Sequence, residues 1–223
     1  MLSDYQTLTD NLVRDDTAKI TVADRDRALG LAFGRYGKDR PRIKVEDLAG
    51  AGTNELALPV GWQDGFSDLK SLEYPVGNIP PTFIAPEFRR LYQKPASTVI
   101  QLDSAIGNGQ AVRATYTIRH QVDAVTDTIP VDDREPIASY AAAILLDELA
   151  AFFSGASDST IQADVVDHRS RGDQFASRAN RLRKFYFDQL GIDPKREVAA
   201  GTVVALDVRD SLGGPRMTHR LRR

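Results

Sequence analysis

The chain has 223 residues, 42% of them apolar, with a formal net charge of −2. That length suffices for one domain or two small ones with a sizeable core, and the near-neutral balance gives the whole molecule no bulk preference for nucleic acid or an anionic membrane. With no cysteine, disulfides, thiol catalysis and cysteine-ligated metals are excluded, and no apolar run approaches the ~20 residues of a membrane span.

The opening Met-Leu-Ser-Asp-Tyr is acidic early and lacks a basic n-region, so no secretory signal is expected and synthesis in a reducing cytosol fits. Residues 3–14 predict a short helix, capped by Ser3 or Asp4, with Tyr5, Leu8, Leu12 and Val13 as its apolar stripe. Thr21-x-x-Asp24 reads as a capping box opening a second helix to about Tyr36. Ala28, Leu29, Ala32, Phe33 and Tyr36 form its buried face, Gly37 its stop, and Asp24, Arg25, Asp26 and Arg27 a solvated face.

From residue 40 the period falls to two and prolines and glycines concentrate. Ile43–Glu46 is a predicted short strand. Residues 49–54 are a glycine-rich turn, and Leu56–Pro59 leads to the single tryptophan, Trp62. Leu69–Tyr74 is a strand ended by Pro75, followed by a constrained loop through Pro81. Thr98–Asp103 and Ala111–Val122, joined by Ile106-Gly-Asn-Gly109, predict a β-hairpin. In its second strand Val112, Ala114, Tyr116 and Ile118 alternate with Arg113, Thr115, Thr117 and Arg119, so the sheet covers a core on one side.

Ile129-Pro130 ends the β region. Asp132 or Asp133 caps a third helix, with Pro136 in its first turn and Ile137, Ala141, Ile144, Leu145, Leu149 and Phe152 as its stripe. Its Ala141–Ala143 run permits close approach by a neighbour. Gly155 closes it. Ser159-x-x-Gln162 then caps a long fourth helix that ends at Gly191. Along that helix Ile161, Val165, His168, Gly172, Phe175, Ala179, Leu182, Tyr186 and Gln189 or Leu190 recur in steps of four and three, the seam of a helix packed along its length against another. At roughly 1.5 Å per residue it would span about 45 Å, and this hairpin of helices is expected to organise the chain. A strand over Thr202–Val208 and a basic end follow.

Catalytic signals are sparse. The three histidines, His120, His168 and His219, share no metal-binding spacing. Gly107-Asn-Gly109 lacks the rest of a dinucleotide fingerprint, and no Walker lysine motif or nucleophile elbow exists. Asp164, Asp167 and His168 come nearest to a constellation: Asp164 and His168 share a helix face, as a proton-transfer or metal pair would, or as a carboxylate orienting a seam histidine. No catalytic group, metal or cofactor is expected. Arg216–Arg223 holds four arginines, one histidine and no acid. It can neutralise nucleic-acid phosphates, pair with carboxylates of a protein partner, or serve as a solubilising end. The preceding strand favours partner docking, because a terminal strand can add to another sheet edge.

Ile129-Pro130, the small-residue helix 141–153, and Asp158–Ser170 followed by Phe175-Ala-Ser-Arg-Ala179 resemble the C-terminal helical pair of head-to-tail adaptor proteins of tailed bacteriophages. Leu58-Pro59-x-x-Trp62 and Leu72-Glu-Tyr-Pro75-x-Gly77-x-x-Pro80-Pro81 resemble the β insertion of adaptors in long-tailed phages. The resemblance implies a structural, non-enzymatic protein of the virion neck, made in the host cytoplasm. It implies a ring, commonly of twelve copies, that binds the portal protein, meets further neck or tail proteins, and continues the DNA channel with at most non-specific DNA contact and no membrane. By the same resemblance the C-terminal segment is the portal-docking arm, through Thr202, Val204, Leu206, Val208, Arg216, Arg220, Arg222 and Arg223. The expected architecture is α+β: a helical bundle from 1–39 and 129–192, an antiparallel β insertion over 40–128, and an extended arm over 193–223. A stopper or tail-completion protein, and a DNA-binding packaging accessory protein using the basic end, are the alternative readings.

Overall fold

The computed structural model describes residues 1–15, 18–154 and 171–194. The chain is α+β. Its helices are α1 (Leu2–Val13), α2 (Val22–Asp39), α3 (Arg134–Ser154) and α4 (Arg171–Leu190). Its strands are β1 (Arg42–Ala49), β2 (Glu55–Ala57), β3 (Leu69–Glu73), β4 (Arg89–Gln93), β5 (Thr98–Leu102) and β6 (Ala111–Ile118), with 3-10 turns at Pro86–Phe88 and Val131–Asp133. Contacts divide it into a helical unit (1–46, 60–70 and 115–196) and a β unit containing 47–59 and 71–114.

In the helical unit α3 packs against α1, α2 and α4. Its sequence dictates this place: Ile137, Ala138, Ser139, Ala141, Ala142, Ala143, Leu145, Leu146 and Leu149 are all buried, so its centre is covered nearly all round. A helix apolar on every side belongs in an interior. The expected single stripe was therefore too narrow, and within the helical hairpin α3 is the central member. Phe152, assigned to the stripe, is 55% exposed, with the Lys19 ammonium over its ring. An 18-residue window within Val131–Ser154 reaches a mean hydropathy of 1.5, so this one helix among the described residues is long and apolar enough by length and composition alone to cross a membrane, although charged residues interrupt it as the sequence indicates. Here neighbouring helices bury it.

Two helix ends follow the sequence closely. Thr21 and Asp24 form a reciprocal capping box at the start of α2, which satisfies two of its orphan amides. At the end of α4, Gly191 adopts φ +64°; its amide donates to the Asp188 carbonyl and that of Ile192 to the Phe187 carbonyl, a Schellman closure. Other ends differ. The first helix starts at Leu2, with Asp4 inside its first turn accepting from the Met1 nitrogen. Gly37 does not stop α2, which continues to Asp39. It is buried because the Phe66 ring lies 3.8 Å from where a Cβ would stand. The α2 charges bridge helices rather than merely facing water: Arg25 binds Asp10 of α1 and Arg27 binds Glu148 of α3.

The strands form two three-stranded sheets, ordered β1-β6-β3 and β2-β5-β4. The predicted hairpin between Thr98–Asp103 and Ala111–Val122 does not form, because β5 and β6 lie in different sheets. β5 instead makes a hairpin with β4, pairing Tyr92 with Val99 and Leu91 with Ile100, closed where Lys94 N–H donates to the Ser97 carbonyl. The glycine segment after β5 is a crossover, held by mutual bonds between Gly50 and residues 109–110 and by Gly52 N–H to the Ile106 carbonyl. The buried residues of the β unit include Leu48, Leu56, Leu72, Ile100, Leu102, Ile106, Val112 and Ala114, with Glu73 as a buried carboxylate. β6 ends at Ile118, so Arg119 and His120 lie beyond it.

Candidate functional site

Seam positions on the described part of α4 face α3. Gly172 sits where a Cβ would meet the Ala150 carbonyl oxygen at 3.1 Å, so glycine sets how closely the two helices pass. Phe175 is partly buried and stacks on Phe153 with centroids 5.6 Å apart. Leu182 is partly buried against the core, while Ala179 and Tyr186 are buried within it. Tyr186 also lies 4.8 Å from the Tyr140 ring centroid. Ile161, Val165 and His168 lie outside the described residues, as do Gly155 and the Ser159/Gln162 cap. A second link across this pair is the Arg183–Asp147 ion pair.

Buried tyrosines organise the polar side of the bundle. The Tyr5 hydroxyl donates to Asp127 at 3.3 Å, and Arg134 binds the same carboxylate at 2.8 Å. The Tyr36 hydroxyl donates to Asp133 at 2.6 Å, with Arg40 at 3.0 Å. The Tyr186 hydroxyl donates to Asp39 at 2.7 Å, with Arg35 at 2.8 Å. Each set supplies one carboxylate, one cation and one hydroxyl, so the charge is compensated where water is scarce. Burial, and then the neighbouring carboxylate, pushes all three hydroxyls above the ordinary tyrosine range. Asp133, expected as a helix cap, is committed to Tyr36 and Arg40 instead. A related set joins β6 to β1: Tyr116 donates to Glu46 at 2.8 Å, Lys44 lies at 3.3 Å, and Val60 N–H donates to the other Glu46 oxygen at 2.9 Å. The Val60 amide first, and then the Tyr116 hydroxyl, hold Glu46 below the usual carboxylate range. Sequence spacing gave no sign of these sets, because the tyrosine and carboxylate in each are far apart in the chain.

Two arginines close helix ends belonging to other elements. Arg178 of α4 donates to the Leu12 carbonyl at 2.9 Å and the Val13 carbonyl at 3.3 Å. Arg40 donates to the Leu190 carbonyl at 2.9 Å. Each satisfies orphan carbonyls and places a cation at the negative end of a helix. The second anchors the point from which the chain departs toward its basic end. The arm residues Thr202, Val204, Leu206, Val208, Arg216, Arg220, Arg222 and Arg223 lie outside the described residues.

Among the described residues no group of histidines and carboxylates has the makings of a metal site. His120 is held by the Arg40 carbonyl at 2.9 Å through Nε2, and by Thr128 through Nδ1. Its ring therefore ties the segment after β6 to the end of α2. Asp164, Asp167, His168 and His219 lie outside the described residues. Gly107-Asn-Gly109 is no phosphate cradle: Gln110 Oε1 occupies the turn, accepting from Gly107 N–H at 3.1 Å and from the Tyr74 hydroxyl.

No family model matches the chain, and no curated protein matches it. Among solved structures it is similar to a chain in the neck of a native gene transfer agent particle computed with C12 symmetry. That likeness has 17% identity, covers 80% of this chain and 90% of that one, and has a TM-score of 0.26. It is also similar to a chain in the virion of a native gene transfer agent particle, with 15% identity, 80% and 88% coverage, and a TM-score of 0.28. At TM-scores this low no function passes from those chains to this one.

Proposed function

We propose that this chain is a non-enzymatic structural protein of a virion neck: a head-to-tail adaptor whose copies close a ring, of twelve in the family it resembles, between portal and tail. The observation that carries the reading is the exit of α4. A Schellman closure and the Arg40 side chain hold Leu190 and Gly191 against the bundle, and the sequence beyond ends in Arg216, Arg220, Arg222 and Arg223. A rigid bundle with an anchored base for a basic arm is what a ring subunit needs to reach a neighbour. Those guanidiniums pair with portal carboxylates, while Thr202, Val204, Leu206 and Val208 supply the apolar part of the arm. Ring closure uses heterologous, head-to-tail contacts between subunits, and the DNA in the channel is touched without base readout. The protein is made in the host cytoplasm and ends in the virion neck. A stopper or tail-completion position shares the same parts and differs only in its neighbours.

The test is capture of purified portal rings by the full-length protein and by a variant with all four arginines changed to alanine. Capture by the native chain and its loss in the variant supports the reading. Equal capture by both removes the arginines from the interface, and capture by neither removes the portal as partner. Salt-sensitive DNA binding lost in the same variant would favour the packaging accessory role instead.

A further inference from the structure

The β unit carries a groove of about 410 Å³ whose lining includes Tyr74, Phe83 and Phe88, together with the buried Leu102 and Ile106. Phe83 and Phe88 are 58% and 52% exposed, so the groove presents aromatic surface to water. The same unit carries an apolar loop. The chain from Pro75 to Phe83 has no charged residue. Within it Ile79 is 98% exposed, and Pro80 and Pro81 beside it are exposed as well. The loop is firmly built. Glu73 pairs with Phe83 across its base, and Tyr74 N–H donates to the Thr82 carbonyl at 2.9 Å. The Glu73 carboxylate accepts from Gly77 N–H at 3.0 Å, where Gly77 takes φ +94°, a conformation that suits glycine.

We propose that residues 79–81 of one copy of this chain dock in the aromatic groove of the next copy. Prolyl rings pack on aromatic side chains, which is how aromatic-lined grooves recognise proline-rich segments. The groove volume lies in the range of sites that enclose a small ligand, room for one isoleucine and two prolines. No charge of the loop loses water on docking, and Asp103, the one charged residue of the lining, is exposed. A loop held in one shape sacrifices little entropy when it binds. Both halves of the fit are exposed on one chain, which makes a second copy the occupant. Three loop residues and the exposed parts of two phenylalanines cover far less than the ~1,200 Å² of a stable interface, so two free copies associate weakly. The contact holds once neighbours are fixed side by side and their effective concentration is high. Loop and groove are different patches, so each copy gives one and receives one, and the contact repeats head to tail. Its use in ring closure rests on the neck reading, whereas the contact itself rests on the β unit alone.

The absence of native cysteine lets two singly substituted full-length proteins be crosslinked to each other. Ile79→Cys is mixed at high concentration with Ala105→Cys, an exposed position in the groove lining, and treated with a short bismaleimide. Val60→Cys, at a 95% exposed position, replaces Ile79→Cys in a control for chance collision. The expected result is a 79–105 heterodimer several-fold more abundant than the 60–105 one, identified by peptide mass. Equal yields overturn the proposal. Phe88→Ser added to the Ala105→Cys partner should bring the yield down to the control, and an unchanged yield overturns the groove as the receiving surface. A protein carrying both Ile79→Cys and Ala105→Cys should give a ladder of trimers and longer species; closed dimers or intrachain links alone overturn the head-to-tail order. Portal capture is scored separately. Crosslinking without capture keeps the contact and removes the portal as partner, whereas capture without crosslinking removes the contact alone.

Discussion

Arg40 joins three parts of the helical unit at once: its guanidinium binds the Asp133 carboxylate at 3.0 Å and the Leu190 carbonyl at 2.9 Å. Asp133 lies in the turn before α3, and Leu190 is the last residue of α4. One side chain at the end of α2 therefore fixes the start of the central helix and the exit of the last one.

Arg40→Ala should destabilise the helical unit by about 1–3 kcal/mol, because it strips partners from a largely buried carboxylate and from a helix-end carbonyl. Arg40→Lys should recover only part of this, since an ammonium cannot span both acceptors as a planar fork does. Urea denaturation of the three proteins checks the order.

Tyr36→Phe should cost about 1 kcal/mol by removing the hydroxyl from Asp133. Combined with Arg40→Ala, the two losses should fail to add by at least ~0.5 kcal/mol, because both act on one carboxylate. Additive losses would show that Tyr36 and Arg40 act separately. Tyr186→Phe, acting on Asp39 in another set, should show weaker coupling to Arg40→Ala.

Gly172→Val should lower stability by about 1–3 kcal/mol. Its side chain would press on the Ala150 carbonyl and on Ser154, which lie within 3.6 Å of a Cβ there, and overpacking forces helices apart. Gly30→Ala, where nothing lies within 4 Å of a Cβ, should instead gain about 0.5–1 kcal/mol from helix propensity. Thermal midpoints moving in opposite directions would confirm the pair.

Stability should fall at both ends of the pH scale, from different groups. Glu46 is held below the usual carboxylate range by the Val60 amide and then the Tyr116 hydroxyl. Its contribution is present above the unfolded value, about 4.3, and is lost as pH falls through the folded one. Glu46→Gln should therefore lose less stability between pH 6 and pH 3 than the native protein. Burial pushes Tyr5, Tyr36 and Tyr186 upward. Their contribution is full below about pH 10 and falls as pH rises beyond it, because only the unfolded chain readily ionises. Each tyrosine-to-phenylalanine variant should flatten that alkaline loss.

Local periodicity made the four helices legible, and local chemistry located the Thr21/Asp24 box and the Gly191 stop. Partner choice in the sheets was not local. Ile106-Gly-Asn-Gly109 has hairpin-turn chemistry, yet its backbone groups are taken by Gly50 and Gly52, so β5 and β6 part company. Gly37 looks like a stop by its own identity, and the Phe66 ring against it comes from far along the chain. The apolar alanines of α3 were visible, but one stripe was read where burial is nearly circumferential. Tyr36 and Tyr186 were placed on buried faces from their spacing, while the aspartates that receive their hydroxyls lie about a hundred residues or more away and left no pattern in the sequence.

The adaptor account is tested most directly by imaging purified portal rings mixed with the full-length protein. It predicts an added ring of density on the tail-facing side of the portal, with the portal's own rotational symmetry and with each subunit showing α3 enclosed by α1, α2 and α4. Portal rings that remain bare at saturating protein would contradict it.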